Sequence, residues 1–230
     1  VVVAWSSLGN RPDLTIAPTP GPGQSATDTT PVVRPLREAH ALGMMMMIKP
    51  HLAYWGSRFD WRGAIAFNDR ADAHRFWATY PRWIERLAAL SEGADAYVVG
   101  TELDRLVEDE LPWRSLIAAV RERTDAHLTF ASNWDAYERI GFWDALDAIG
   151  VQAYFPVASA DAAPDEAALR AGWAKVLAAL EATHRRTGKP VVFTELGYNE
   201  SSRAGVEPWS YHHGGPDAAD VQARCLRAAL

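Results

Sequence analysis

Strand-sized apolar runs alternate with helix-sized amphipathic stretches along the whole chain, and few folds accept that order. The strand candidates are Val1–Trp5, Met44–Pro50, Ala96–Leu103, Leu128–Asn133, Gly150–Phe155 and Val191–Leu196. They are continuous apolar runs, as parallel strands covered on both faces read. Pro31 to Leu42 reads as a helix with Thr30 as its N-cap and Gly43 as its stop. Ala71 to Leu90 carries Phe76, Tyr80, Trp83, Leu87 and Leu90 on one expected face, with Pro81 as a kink. Trp113, Leu116, Ile117 and Val120 repeat at helical spacing, and so do Trp173, Val176, Leu177 and Leu180 in a helix opening at Pro164. A last helix runs from about Asp217 to the end.

Strands alternating with helices imply an α/β fold around a parallel sheet, either a barrel or a doubly wound sheet. The loops favour the barrel. Those after the strands are long and aromatic, the longest being Arg11–Thr30, and barrels keep their active sites on such loops. The expectation is a (β/α)8 TIM barrel, with 1–230 forming one catalytic domain. The chain opens without Met on Val1-Val2-Val3-Ala4-Trp5, already inside a strand run. It therefore reads as a fragment lacking the first and last strand units, and a missing signal peptide carries no information.

Two of the strand runs end alike, in Gly100-Thr101-Glu102-Leu103 and Phe193-Thr194-Glu195-Leu196. A carboxylate at the end of a buried strand is costly unless it has partners or a task. On the barrel reading both glutamates fall on the C-terminal face of the sheet, where they can reach one bound molecule. Paired carboxylates suit the cleavage of a glycosidic bond. A gap of about 5–5.5 Å would give retention and one of about 6.5–9.5 Å inversion, and spacing in sequence does not choose between them.

The chain has ten Trp residues. Trp77, Trp83, Trp113, Trp143 and Trp173 fall in helical stretches and are expected in the core. Trp5, Trp55, Trp61, Trp134 and Trp209 fall at strand ends or in the following loops, where an exposed indole can stack on a sugar ring. Tyr54, Tyr154, Tyr198 and Tyr211 add hydroxyls on the same rim. Lys49, His51, Arg62, Asn133, Gln152 and Asn199 are candidate hydrogen bonders, and Tyr154 is placed to orient a carboxylate nucleophile.

Composition removes other classes. A net charge of −6 lacks the basic footprint of a duplex nucleic-acid binder. No apolar run approaches the roughly 20 residues of a membrane span. One cysteine excludes an internal disulfide framework. Gly21-Pro22-Gly23-Gln24-Ser25-Ala26 follows no strand and fails as a dinucleotide fingerprint, and His212-His213 reads as loop. Lys49 with the acidic run Glu108-Asp109-Glu110 is a poor metal-assisted lyase site, because no ligand triad lies on successive strand ends.

Several blocks then resemble one family, in order and over nearly the whole chain. Lys49-Pro50-His51, Trp61-Arg62-Gly63, Gly100-Thr101-Glu102-Leu103, Ala131-Ser132-Asn133-Trp134, Phe142-Trp143-Asp144-Ala145-Leu146-Asp147, Ala153-Tyr154-Phe155-Pro156 and Phe193-Thr194-Glu195-Leu196-Gly197-Tyr198 resemble glycoside hydrolase family 113. The resemblance implies a retaining (β/α)8 glycosidase with Glu102 as acid/base on strand 4 and Glu195 as nucleophile on strand 7. It implies that Trp61, Arg62, Asn133 and Tyr154 line the cleft, with Trp134, His51, Lys49 and Tyr198 beside them. It also implies a β-1,4-mannan or related substrate, no cofactor and no metal, and is compatible with a secreted or surface setting in a bacterium. Thr101 stands where many relatives in the wider clan carry Asn. The competing reading is a barrel module that binds glycan without cleaving it.

Overall fold

The computed structural model describes residues 2–7, 17–18, 30–54, 57–159, 164–210, 212 and 217–230. All six apolar runs form strands, with ends shifted by up to three residues. They are β1 (Val2–Ser7), β3 (Met47–Ala53), β4 (Ala96–Thr101), β5 (His127–Asn133), β6 (Ile149–Ala153) and β7 (Val191–Leu196). The two-residue β2 (Ala17–Pro18) was not expected. The helices are α1 (Thr30–Ala41), α2 (Arg70–Leu90), α3 (Glu110–Arg121), α4 (Glu166–Thr187) and α5 (Ala219–Ala229). Thr30 is the first residue of α1 instead of its cap, and α2 continues through Pro81. Among the described residues no helix is long and apolar enough to cross a membrane.

The chain divides into two compact units, one of 1–132 with 139–149 and the other of 133–138 with 150–230. In the first unit the strand order is β2-β1-β3-β4-β5. Among the described pairs of this unit, β1–β2 is antiparallel and β1–β3, β3–β4 and β4–β5 are parallel. The β3–β4 ladder is registered at Met47↔Ala96 and Ile48↔Tyr97. Pro50, which was expected to end the strand, lies inside β3 and pairs with Ala4 of β1. On the other side its carbonyl accepts from the Thr101 hydroxyl at 3.0 Å, so a side chain joins β3 to β4 beyond the registered ladder.

The core of this unit is aromatic. The buried Trp113 ring meets Trp77, Tyr80 and Phe130 edge-on and stacks on Phe142. Three polar atoms that buried rings carry inward find backbone carbonyls. The Tyr80 hydroxyl donates to Val99, the Tyr97 hydroxyl to Ile84 and the Trp113 indole to Leu106, at 2.8 to 3.0 Å. Gly100 makes this packing possible. A Cβ added there would stand 2.7 Å from both Trp113 and Phe130. The buried stripe of α2 is Phe76, Tyr80, Ile84 and Ala88. Trp83, Leu87 and Leu90, expected on that stripe for their size, are half-buried at its margin.

In the second unit β6 and β7 are neighbours and carry α4 and α5. Gly172 brings α4 against the chain leaving β6, where an added Cβ would stand 2.0 Å from the Val157 carbonyl. Trp173 fills the space between Phe155 and Phe193. Leu177, expected to be buried, is exposed. It lines an open groove beside β7 with Val191 and Phe193. Gly188 ends α4 at φ +68, and its N–H returns to the His184 carbonyl. Cys225 is buried, which pushes its thiol up to about 11.

Two outcomes follow. Gly100→Ala should cost about 1–3 kcal/mol in chemical denaturation, because the aromatic rings cannot yield without leaving their rotamers. At the start of β3, Asp95 accepts from the Met46 N–H at 2.6 Å and from His40 at 3.0 Å. The Met46 N–H first, and His40 second, hold this carboxyl below its ordinary range. A depressed carboxyl contributes stability above its unfolded value of about 3.9 and loses it as pH falls through the lower folded value. Asp95→Asn should therefore flatten the acid limb of a melting-temperature profile.

Candidate active site

Each unit carries one of the two strand-end glutamates. In the first, β4 holds one residue more than β5 between the pairs Val98↔Thr129 and Thr101↔Ala131. This bulge re-aims the end of β4. Glu102 follows at φ +53, the one non-glycine in the left-handed region among the described residues. Its backbone N–H donates to the Ala131 carbonyl at 2.8 Å, which pins the turn to β5. Such a conformation costs of order 1–3 kcal/mol and persists where the surroundings enforce it.

Arg62 holds the Glu102 side chain. Its Nη1 donates to Glu102 Oε2 at 2.5 Å, with both side chains largely buried. Arg62 is itself fixed, with Nε donating to the Leu52 carbonyl at 3.1 Å and the guanidinium over the Tyr54 ring. Next to it, Trp61 is 41% exposed and folds back across Gly63. A Cβ at Gly63 would meet three of its ring atoms at 2.1 to 2.5 Å. Lys49 and His51 are buried on β3, two residues apart and so on one face of the strand. Thr101 is buried and its hydroxyl donates to the Pro50 carbonyl.

In the second unit Glu195 lies near the end of β7, and the Tyr154 hydroxyl donates to its Oε2 at 2.7 Å. Thr194 beside it donates to the Gln152 amide oxygen at 2.9 Å. The threonine of each Thr-Glu-Leu run thus ties its strand to the strand before it. Asn133 ends β5, and the half-buried Trp134 follows it. Trp134 stacks on Trp209 with centroids 5.3 Å apart and planes at 21°. Tyr198 departs from expectation. It is buried, and its hydroxyl accepts from the Trp173 indole at 2.9 Å, so it supports the core instead of the rim. Asn199 braces its own loop through the Glu207 carbonyl. Trp55, Tyr211, His213, the Trp5 side chain and most of the 11–30 loop lie outside the described residues.

The family model for Glycoside Hydrolase Family 113 matches residues 22–230, and that span contains both glutamates. The chain belongs to glycoside hydrolase family 113. Among solved structures, this family 113 chain is 27% identical to the GH113 β-mannanase AaManA from Alicyclobacillus acidocaldarius in complex with ManMIm. The TM-score is 0.81, over 97% of this chain and 68% of that one. A GH113 β-1,4-mannanase solved as a complex matches at 21% identity and TM-score 0.81, over 99% of this chain and 70% of that one. A β-glucuronidase from Ruminococcus gnavus matches at 11% identity and TM-score 0.57, over 84% of this chain and 32% of that one, and shares the fold alone. Comparison with curated proteins returned no match. The family 113 chain is a glycoside hydrolase with an α/β fold of TIM-barrel type.

Tyr154→Phe removes one hydrogen bond to a charged acceptor and leaves the ring in place. Such bonds are worth about 1.5–3 kcal/mol. Steady-state kinetics on an activated aryl glycoside should show kcat lowered by about tenfold or more, with the melting temperature little changed.

Proposed function

We propose that this chain is a retaining hydrolase of β-1,4-mannan or related β-glycans, with Glu195 as nucleophile and Glu102 as acid/base. The observation that carries the reading is the treatment of the two carboxyls. Each has a dedicated polar partner, Tyr154 for Glu195 and Arg62 for Glu102, and one stands on a strained backbone. A module that only bound sugar would gain nothing from holding a glutamate in that conformation. The resemblance to β-mannanases supports the substrate class.

In the first step a Glu195 oxygen attacks the anomeric carbon while Glu102 gives its proton to the departing glycosidic oxygen. The carbon–oxygen bond to the leaving sugar breaks and a glycosyl ester forms on Glu195. In the second step Glu102, now a carboxylate, takes a proton from the water that attacks the same carbon, and the ester bond breaks. Two inversions return the β-anomer. Tyr154 fixes the attacking carboxylate, and Arg62 holds the acid/base through one oxygen. Trp61, Asn133, Lys49 and His51 are assigned to the sugar directly, Trp134 to the sugar side through the Trp209 indole on which it stacks, and Tyr198 to the packing behind Glu195.

Time-resolved NMR of anomeric signals on β-1,4-mannan oligosaccharides tests the reading. β-Anomer as the first product supports it, and α-anomer as the first product overturns the nucleophile assignment. Glu195→Ala should abolish turnover. Glu102→Ala should spare substrates with good leaving groups, which need little protonation. Tight binding with no product after long incubation would favour the glycan-binding module.

A further inference from the structure

The second unit holds an aromatic surface that the two-carboxylate chemistry does not use. Trp209 lies on the segment after β7 and is 42% exposed, one of two exposed indoles among the described residues, with Trp61. One face of its indole is covered by Trp134, which directly follows β5. Trp134 is backed edge-on by Phe155, two residues after β6, with centroids 6.1 Å apart. The stack therefore draws on the C-terminal ends of three strands. Phe155 is the neighbour of Tyr154, whose hydroxyl holds Glu195.

The segment that presents Trp209 is built to be rigid. Asn199 Nδ2 donates to the Glu207 carbonyl at 2.7 Å, and Asn199 Oδ1 accepts from the Ser201 hydroxyl at 2.6 Å. Arg203 pairs with Glu207 at 3.0 Å. The Gly205 carbonyl accepts from both Val157 and Ala158, at 2.8 and 2.9 Å. A loop tied at four points, ending in an indole with an outward face, has given up its freedom to bury that face. Large apolar surface left in water forgoes about 25 cal/mol for each Å² that burial would remove. A ligand with a flat apolar face and a polar edge recovers that energy and keeps its hydroxyls wet. A pyranose ring has that shape.

We propose that Trp209 is a stacking platform for a sugar unit other than the one attacked by Glu195, and that Trp134 is the positioning residue that holds it. The inference rests on the reading of this chain as a β-glycan hydrolase and deepens it. The substrate is a chain with at least one further ring beyond the scissile bond, and binding strength rises with chain length.

Calorimetric binding on Glu195→Gln chain, which removes turnover, tests this with β-1,4-mannan oligosaccharides of increasing length and the matching β-1,4-glucan series. Affinity should rise with length, and adding Trp209→Ala should remove that rise, weakening the longer ligands by about tenfold, or about 1.4 kcal/mol. Trp134→Ala should remove the Trp134–Trp209 part of the indole exciton couplet in circular dichroism, leaving the Trp77–Trp113 part, and weaken the same ligands. Trp134→Tyr should restore their binding. If the parent gains affinity with length and Trp209→Ala gains it equally, the platform is overturned and the hydrolase reading stands. If the parent binds neither series, both fall. Loss of the Trp134–Trp209 part of the couplet in Trp134→Ala with affinity intact would overturn the positioning role alone.

Discussion

A carboxylate on a buried strand is least costly at its end, and there something has to fix which way it points. Here that constraint falls to threonine. Thr101 and Thr194 are both buried and spend their hydroxyls on the preceding strand, on the Pro50 carbonyl and the Gln152 amide. Neighbouring side chains on a strand leave on opposite faces. On β7 the locked Thr194 therefore settles the direction of Glu195, whereas Glu102 stands just past β4 at φ +53, where the left-handed turn aims it from the locked Thr101. The two Thr-Glu-Leu runs use one local device, although one partner is backbone and the other side chain.

What surrounds the glutamates differs between the units. Around Glu102 the backbone is bent, by an extra residue in β4 and a left-handed φ, and an arginine clamped by Leu52 and Tyr54 takes the carboxyl. Around Glu195 the strand is regular and a phenol takes the carboxyl. A nucleophile has to be aimed at one carbon. An acid/base has to face the leaving oxygen first and then a water in the same place. Both partners fix a carboxyl through one oxygen and leave the other oxygen outside that contact, Arg62 from a rigid mount and Tyr154 as a neutral donor.

Much of this was legible in the sequence because it is local. Apolar runs between capped helices gave the α/β order, and β7 falls where the run Val191–Leu196 does. The misses are non-local. The stripe of α2 follows the i, i+4 row Phe76, Tyr80, Ile84 and Ala88, which takes in an alanine that side-chain size alone passes over. Tyr198 looks like a rim hydroxyl until Trp173 is seen to donate to it. Pro50 looks like a strand end, yet Thr101 supplies a hydrogen bond at its carbonyl. Glutamate has no leaning toward a left-handed backbone, so the strain at Glu102 had no signature. Nor did the meeting of Trp134 with Trp209. Both glutamates and the bond from Tyr154 could be read from residue type and strand-end position, whereas Arg62 read only as a candidate hydrogen bonder and its bond to Glu102 comes from a turn nine residues past β3.

The bulge in β4 bears on how such a chain can change in length. Every residue along a strand turns its side chain to the other face, so losing one between Val98 and Thr101 would restore even pairing with β5 and turn Glu102 away. Substitutions in that stretch are limited by Trp113 and Phe130, and deletions are limited by parity. Insertions and losses in a lineage of such chains should therefore gather in the segments between strands and helices. The spacing from Thr101 back to the start of β4 should hold constant as a counted length, even where the residues themselves drift.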